Sequence, residues 1–198
     1  MTAALSLPDR REWTVDDLAG LSNDFRYELV NGRLLVTSPI GPHQDLCVEV
    51  LLALRPNCPL GFAAFHELSL LIDRRNQPRP DVAAMRLDHI DRTPAPAEDA
   101  VLVVEIISKE NTLKEIREKQ RVYARAGVPR YWVVNPLHGP VTLTELVLNP
   151  DRQDYHARIA TSGVFETDQP WPVRLDLPTV TRRYEQLLAG ARGVRASQ

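Results

Sequence analysis

The strongest constraint on this chain is an unbroken run at residues 101–108, VLVVEIIS, in which Glu105 is the only charged residue. Such a run is long enough for a strand and too apolar to leave either face in water. The spacing predicts a helix over about 112–126, stopped by Gly127 and Pro129. RYWVVNP, residues 130–136, then reads as a second buried strand. A strand, a helix and a strand of these lengths make a right-handed crossover between parallel neighbours. The fold class expected is therefore α/β, with a mixed sheet flanked by helices.

The remaining elements are read around that unit. Thr14 with Asp17 has capping-box spacing and predicts a short helix. YELVNGRLLV, residues 27–36, carries Asn31-Gly32 between apolar stretches, a hairpin signal. Leu46, Val50 and Leu54 recur at helical spacing and predict a helix over about 42–54. Strands are expected at 61–66, 68–72 and 80–85, and antiparallel strands at VTLTELVL and DYHARIA. A last helix is expected at about 180–188. TPAPA, residues 93–97, reads as a surface loop. One domain over 1–198 is expected, with its core at about 12–188 and a frayed tail at 189–198.

Composition excludes several classes. With 24 Lys and Arg against 26 Asp and Glu, the net charge is -2, which rules out a strongly basic DNA-coating protein but not a local basic patch. No apolar run is long enough for a membrane helix, and the start has no secretory pattern. Cys47 and Cys58 are too few for a disulfide framework or a zinc cluster, so two reduced thiols in a cytoplasmic protein are expected.

Three residues stand out as chemistry. Glu105 is costly in its apolar strand unless a cation or strong donors compensate it. A buried Arg or backbone amides could do so for purely structural reasons. Asp81 opens the strand PDVAAM behind Pro80, and an Asp there could be a solvated turn residue. If strands 80–85 and 101–107 are neighbours, however, the two carboxylates form a hard-oxygen site suited to Mg²⁺. Lys119 leans to the inner stripe of its helix with Ile116 and Tyr123, while Lys114, Arg117, Arg121 and Arg125 share another face. Lys119 could equally snorkel, or pair with Glu115. The basic face is either a solvated helix side or a phosphate track.

Taken in order, these residues resemble the PD-(D/E)xK nuclease superfamily, and within it the bacterial restriction-endonuclease-like family called Uma-two. The resemblance is carried by Tyr27-Glu28-Leu29 with Asn31-Gly32, His43, Pro80-Asp81, Glu105 with Ser108, Glu118-Lys119, and Gly127-Val128-Pro129 with Tyr131-Trp132. It spans about residues 12–136. Two positions depart from the family's usual pattern: Lys109 stands where a proline follows the serine, and Glu115 where an Asp precedes the lysine. The resemblance implies a restriction-endonuclease-like fold and a Mg²⁺-dependent (or Mn²⁺-dependent) DNA endonuclease. Asp81 and Glu105 would hold the ion, and Glu28 would add a carboxylate. Lys119 would be a migrated lysine, since Ile107 occupies the usual position. His43, Ser108 and Tyr123 would be accessory. A homodimer follows by analogy with nucleases that cut both strands. The alternative is a non-catalytic nucleic-acid or protein-interaction module that kept the fold.

Overall fold

The computed structural model describes residues 12–21, 26–109 and 113–196. Its centre is a six-stranded mixed sheet in the spatial order β10-β9-β8-β7-β5-β3. The strands are β3 (Phe62–His66), β5 (Val82–Arg86), β7 (Ala100–Ile106), β8 (Arg130–Asn135), β9 (Thr142–Asn149) and β10 (Asp154–Thr161). The strands β7 and β8 pair in parallel, with Glu105 opposite Val133, and α3 (Leu113–Arg125) connects them. This is the expected crossover; the predicted helix start at Thr112 lies outside the described residues. Every other pairing in the sheet is antiparallel. Gly127, at φ +76°, ends the helical stretch in a conformation that glycine adopts without penalty.

The two-residue period of the central strands sorts their side chains into two layers. Val82 and Ala84 of β5 with Leu102, Val104 and Ile106 of β7 face α2 (Gly41–Leu54), whose Leu46, Cys47, Val50 and Leu54 are buried against them. Ala83, Met85 and Val103 face the other way and pack with Tyr123 of α3 and Tyr131 of β8. Burying each large side chain of this kind contributes about 1.5–3 kcal/mol. Glu105 shares the parity of Val103, so the pleat turns it towards α3.

Smaller elements close the structure. The short helix α1 (Val15–Leu18) is capped as expected: Asp17 accepts hydrogen bonds from the Thr14 amide at 2.9 Å and hydroxyl at 2.8 Å. The hairpin β1 (Arg26–Val30) and β2 (Arg33–Thr37) turns through Asn31 and Gly32, both at positive φ, with Val30 opposite Arg33. A side chain at position 32 would meet the Arg75 guanidinium at 3.0 Å.

Three expectations are corrected. TPAPA is not merely a surface loop: β6 (Ala95–Pro96) pairs in parallel with β4 (Leu70–Leu71), and Ala95 and Ala97 are buried. The small side chains let this segment pass close under the sheet. The ribbon β11 (Val164–Thr167) and β12 (Val173–Asp176) was not anticipated; its Phe165, Val173 and Leu175 join the α2 layer. Finally, the last helix is longer than the expected 180–188: α4 spans Leu177–Ala196. Its alanines and arginines are good helix formers and outweigh Gly190 and Gly193.

Candidate active site

Four segments converge at the end of the sheet where β5 begins and β7 ends. The antiparallel register sets Val82 opposite Val104, so one further step places Asp81 beside Glu105. The Asp81 Oδ2 accepts a hydrogen bond from the Ile106 amide at 2.6 Å, which fixes the carboxylate at the strand end. Glu105 is 1% exposed. Its Oε2 accepts from Lys119 Nζ at 2.9 Å, and its Oε1 from the Tyr123 hydroxyl at 2.9 Å. Lys119 also meets Glu28 Oε2 at 2.7 Å, reaching across from α3 to the hairpin. Where the sequence left open a pairing of Lys119 with Glu115, the lysine reaches Glu28 and Glu105, and Glu115 pairs with Arg33 at 3.6 Å.

Glu28, His43, Asp81, Glu105, Ser108 and Lys119 all line one cavity of about 340 Å³. Tyr123 is not among its lining residues; it supports Glu105 from behind, inside the α3 layer. The basic face of α3 is split off from this site. Arg117 and Arg121 line a separate cavity with Tyr155, and Lys114 pairs with Glu118 at 3.8 Å.

Glu28 and Glu105 share the buried Lys119 ammonium, Asp81 lies against His43, and Arg79 is charged beside Glu28. Burial pushes Glu105 from an ordinary 4.5 up to about 8; Lys119 opposes this, while Asp81 and Glu28 add to it. Burial alone would lower the Lys119 ammonium, but Glu105 and Glu28 outweigh it and hold the lysine charged. Glu105 is therefore held largely protonated at neutral pH beside a charged lysine.

His43 sits at the edge of this group. Its Nε2 lies 3.2 Å from the Ile106 carbonyl oxygen and 3.5 Å from Asp81 Oδ2. Burial disfavours its charged form, yet the hydrogen bond and charge of Asp81 prevail and raise it. His43, Cys47 and Asp81 also bring one ligand atom each within 4.8 Å of one another. Cys47 is a poor member of such a set: it is packed in the α2 layer, and burial followed by the charge of Asp81 keeps its thiol protonated.

The sequence reading missed Arg79 and Glu67, which line the same cavity. The Arg79 amide donates to Glu28 Oε2 at 3.3 Å, and its guanidinium donates to the Glu67 carbonyl at 3.1 Å. The Arg79 Nε is buried without a hydrogen-bond partner. Glu67 accepts from Gln44 at 2.9 Å and pairs with Arg26. Arg79 stands directly before Pro80-Asp81, and that adjacency to a candidate ligand was the available signal. Tyr184 and Leu188, also on the cavity wall, come from α4, whose packing no local pattern predicts.

Comparison with known proteins agrees with this architecture. The chain is similar in fold to a solved structure described as a putative nuclease belonging to DUF820 from Anabaena variabilis ATCC 29413. The TM-score is 0.64 and the identity 17%, covering 86% of this chain and 98% of that one. No curated protein matches. A family model described as Uma2, putative restriction endonuclease, matches residues 14–183, and the chain belongs to that family.

Proposed function

We propose that the protein is a divalent-metal-dependent DNA endonuclease of the PD-(D/E)xK type, with Asp81 and Glu105 as metal ligands. The observation that carries this reading is the meeting of Glu28, Asp81, Glu105 and Lys119 in one cavity, with Lys119 bonded to Glu28 at 2.7 Å and to Glu105 at 2.9 Å. Asp81 and Glu105 would offer carboxylate oxygens, the donors that suit Mg²⁺ or Mn²⁺. The His43, Cys47 and Asp81 set would suit a softer ion, but its thiol would first have to leave the core and lose its proton. When bound, the ion would supply water activation and polarisation of the phosphoryl oxygen.

The chain's own groups divide the remaining work. Asp81 is oriented by the Ile106 amide, and Glu105 by Tyr123 and Lys119. Lys119 Nζ holds a water beside the phosphorus and stabilises the charge that develops in the transition state. Glu28 keeps that ammonium in place. Arg79, on the cavity lining, would add a positive charge beside the phosphate. His43 positions Asp81, and Ser108 offers a hydroxyl at the cavity wall. The enzyme would form one domain, act as a homodimer and work in the cytoplasm; in keeping with this, Cys47 and Cys58 are both free thiols, and no helix among the described residues is long and apolar enough to cross a membrane.

The test is a nicking and cleavage assay on supercoiled and linear DNA with Mg²⁺, Mn²⁺ or EDTA, alongside Glu105→Gln. Cleavage that needs the ion and is lost in the variant supports the reading. A folded wild-type protein that binds DNA but cuts none with any ion would favour the non-catalytic module.

A further inference from the structure

The cavity lining is of two kinds. Its floor is the charged group just described, whereas Val36, Ile40, Ile107, Leu137, Tyr184 and Leu188 give it an apolar wall. Ile40 and Val36 are exposed at 56% and 40%, although each borders a site for a highly charged substrate. Among the lining residues Tyr184 supplies the only phenol ring. It is half-buried, and its hydroxyl is held protonated by burial.

A phosphodiester satisfies the floor and leaves this wall without a partner. Phosphate and sugar are polar. A base inside a duplex buries its faces on its neighbours and presents only hydrogen-bonding edges to a protein. The apolar faces of a nucleotide become available only when the base is unstacked, as in single strands and extruded nucleotides. The depth of the floor points the same way: Glu105, Glu28 and Lys119 are all buried, so the phosphate must enter the cavity rather than rest across its mouth. A volume of about 340 Å³ lies at the small-molecule end of binding cavities, enough for a single group to enter.

We propose that the substrate is unpaired DNA, and that the cavity takes one unstacked nucleotide with its phosphate on the floor and its base against Tyr184 and Ile40. This rests on the nuclease reading and adds to it a strand preference. Double-stranded DNA would be attacked where it opens, at ends, bubbles or flaps.

The test is fluorescence anisotropy with one labelled DNA sequence, as a single strand and as a blunt duplex, with Ca²⁺ replacing Mg²⁺ to suppress turnover. The single strand should bind at least about tenfold more tightly. Tyr184→Ala should weaken single-strand binding by about tenfold, the scale of one base–aromatic stack, and leave the duplex unchanged. Tyr184→Phe should retain binding, because the ring rather than the hydroxyl does the stacking. Should Tyr184→Ala fail to fold, Ile40→Ser tests the same wall: Ile40 is the N-cap of α2, where serine is favoured, and single-strand binding should fall a few-fold. Equal or tighter duplex binding, or wall variants that weaken both forms alike, would overturn the proposal. If duplex and single strand are cut equally fast with Mg²⁺, the strand preference fails while the nuclease reading stands. Binding of neither form contradicts both.

Discussion

Two buried glutamates sit in this sheet, and they have opposite surroundings. Glu145 of β9 is 0% exposed and Glu105 of β7 is 1% exposed. Around Glu145 the cations exceed the anions. Arg158 pairs with it, Arg130 lies 3.7 Å away, and the Trp132 indole and Thr167 hydroxyl each approach at 3.4 Å. Around Glu105 the compensation is thinner: one lysine, which it shares with Glu28, and the Tyr123 hydroxyl, with the charge of Asp81 nearby. Glu145 is absent from the cavity lining, and Glu105 is on its floor. Burial of an acid therefore does not mark a functional site by itself. What separates the two is access and compensation: Glu145 is enclosed by two arginines, while Glu105 has one lysine and faces the cavity proposed to take a cation.

The contrast breaks most sharply under mutation. Glu105→Gln and Asp81→Asn should each lower metal-dependent cleavage by at least about a hundredfold, the scale of losing one preorganised charge. Both should fold at least as stably as the wild type without metal, since they relieve repulsion. Glu145→Ala should do the reverse: cleavage by the folded protein stays within a few-fold, while stability falls by about 3 kcal/mol as the half-buried Arg130 and the buried Trp132 lose their acceptor. Urea unfolding and a plasmid cleavage assay on the same preparations separate the two patterns.

Lys119→Met sharpens the account of the floor. Removing its only ammonium should destabilise the metal-free protein by about 3–5 kcal/mol at pH 8. Added Mn²⁺ should recover part of that loss, and cleavage should stay absent.

A smaller effect is expected with pH. Glu105 titrates near 4.5 when unfolded and about 8 when folded, so between those values the native state binds more protons. The slope of stability with pH is then negative: its contribution is full below about 4.5 and lost as pH rises through about 8. Thermal unfolding without metal should show this decline, and Glu105→Gln should flatten it. Smallest of all, Gly32→Ala should cost about 1 kcal/mol at the left-handed turn, with no change in metal binding.

The crossover and its carboxylate were legible because they rest on local patterns. An apolar run, a helical stripe and a glycine stop define β7, α3 and β8, and an acid inside such a run is conspicuous. Glu145 was not conspicuous, because it alternates politely in TLTELVL while its compensating arginines come from other strands. Lys119 was identified by its place on the helix, but its bond to Glu28 depends on how the hairpin docks, which no spacing encodes. Arg79, Tyr184 and the long α4 were missed for the same reason: their roles come from tertiary packing rather than period. The ribbon of β11 and β12 was missed because its strands are only four residues each.

The floor around Glu105 is proposed to take a divalent cation on Asp81 and Glu105. Calorimetric titration of Mn²⁺ into the wild-type protein, Glu105→Gln, Asp81→Asn, Cys47→Ala and Glu145→Gln tests it most directly. The account predicts one ion per chain for the wild type, lost or weakened at least about tenfold by the Asp81 and Glu105 substitutions and unchanged by those at Cys47 and Glu145. No binding to the wild type, or binding that survives Glu105→Gln and disappears with Cys47→Ala, would contradict it.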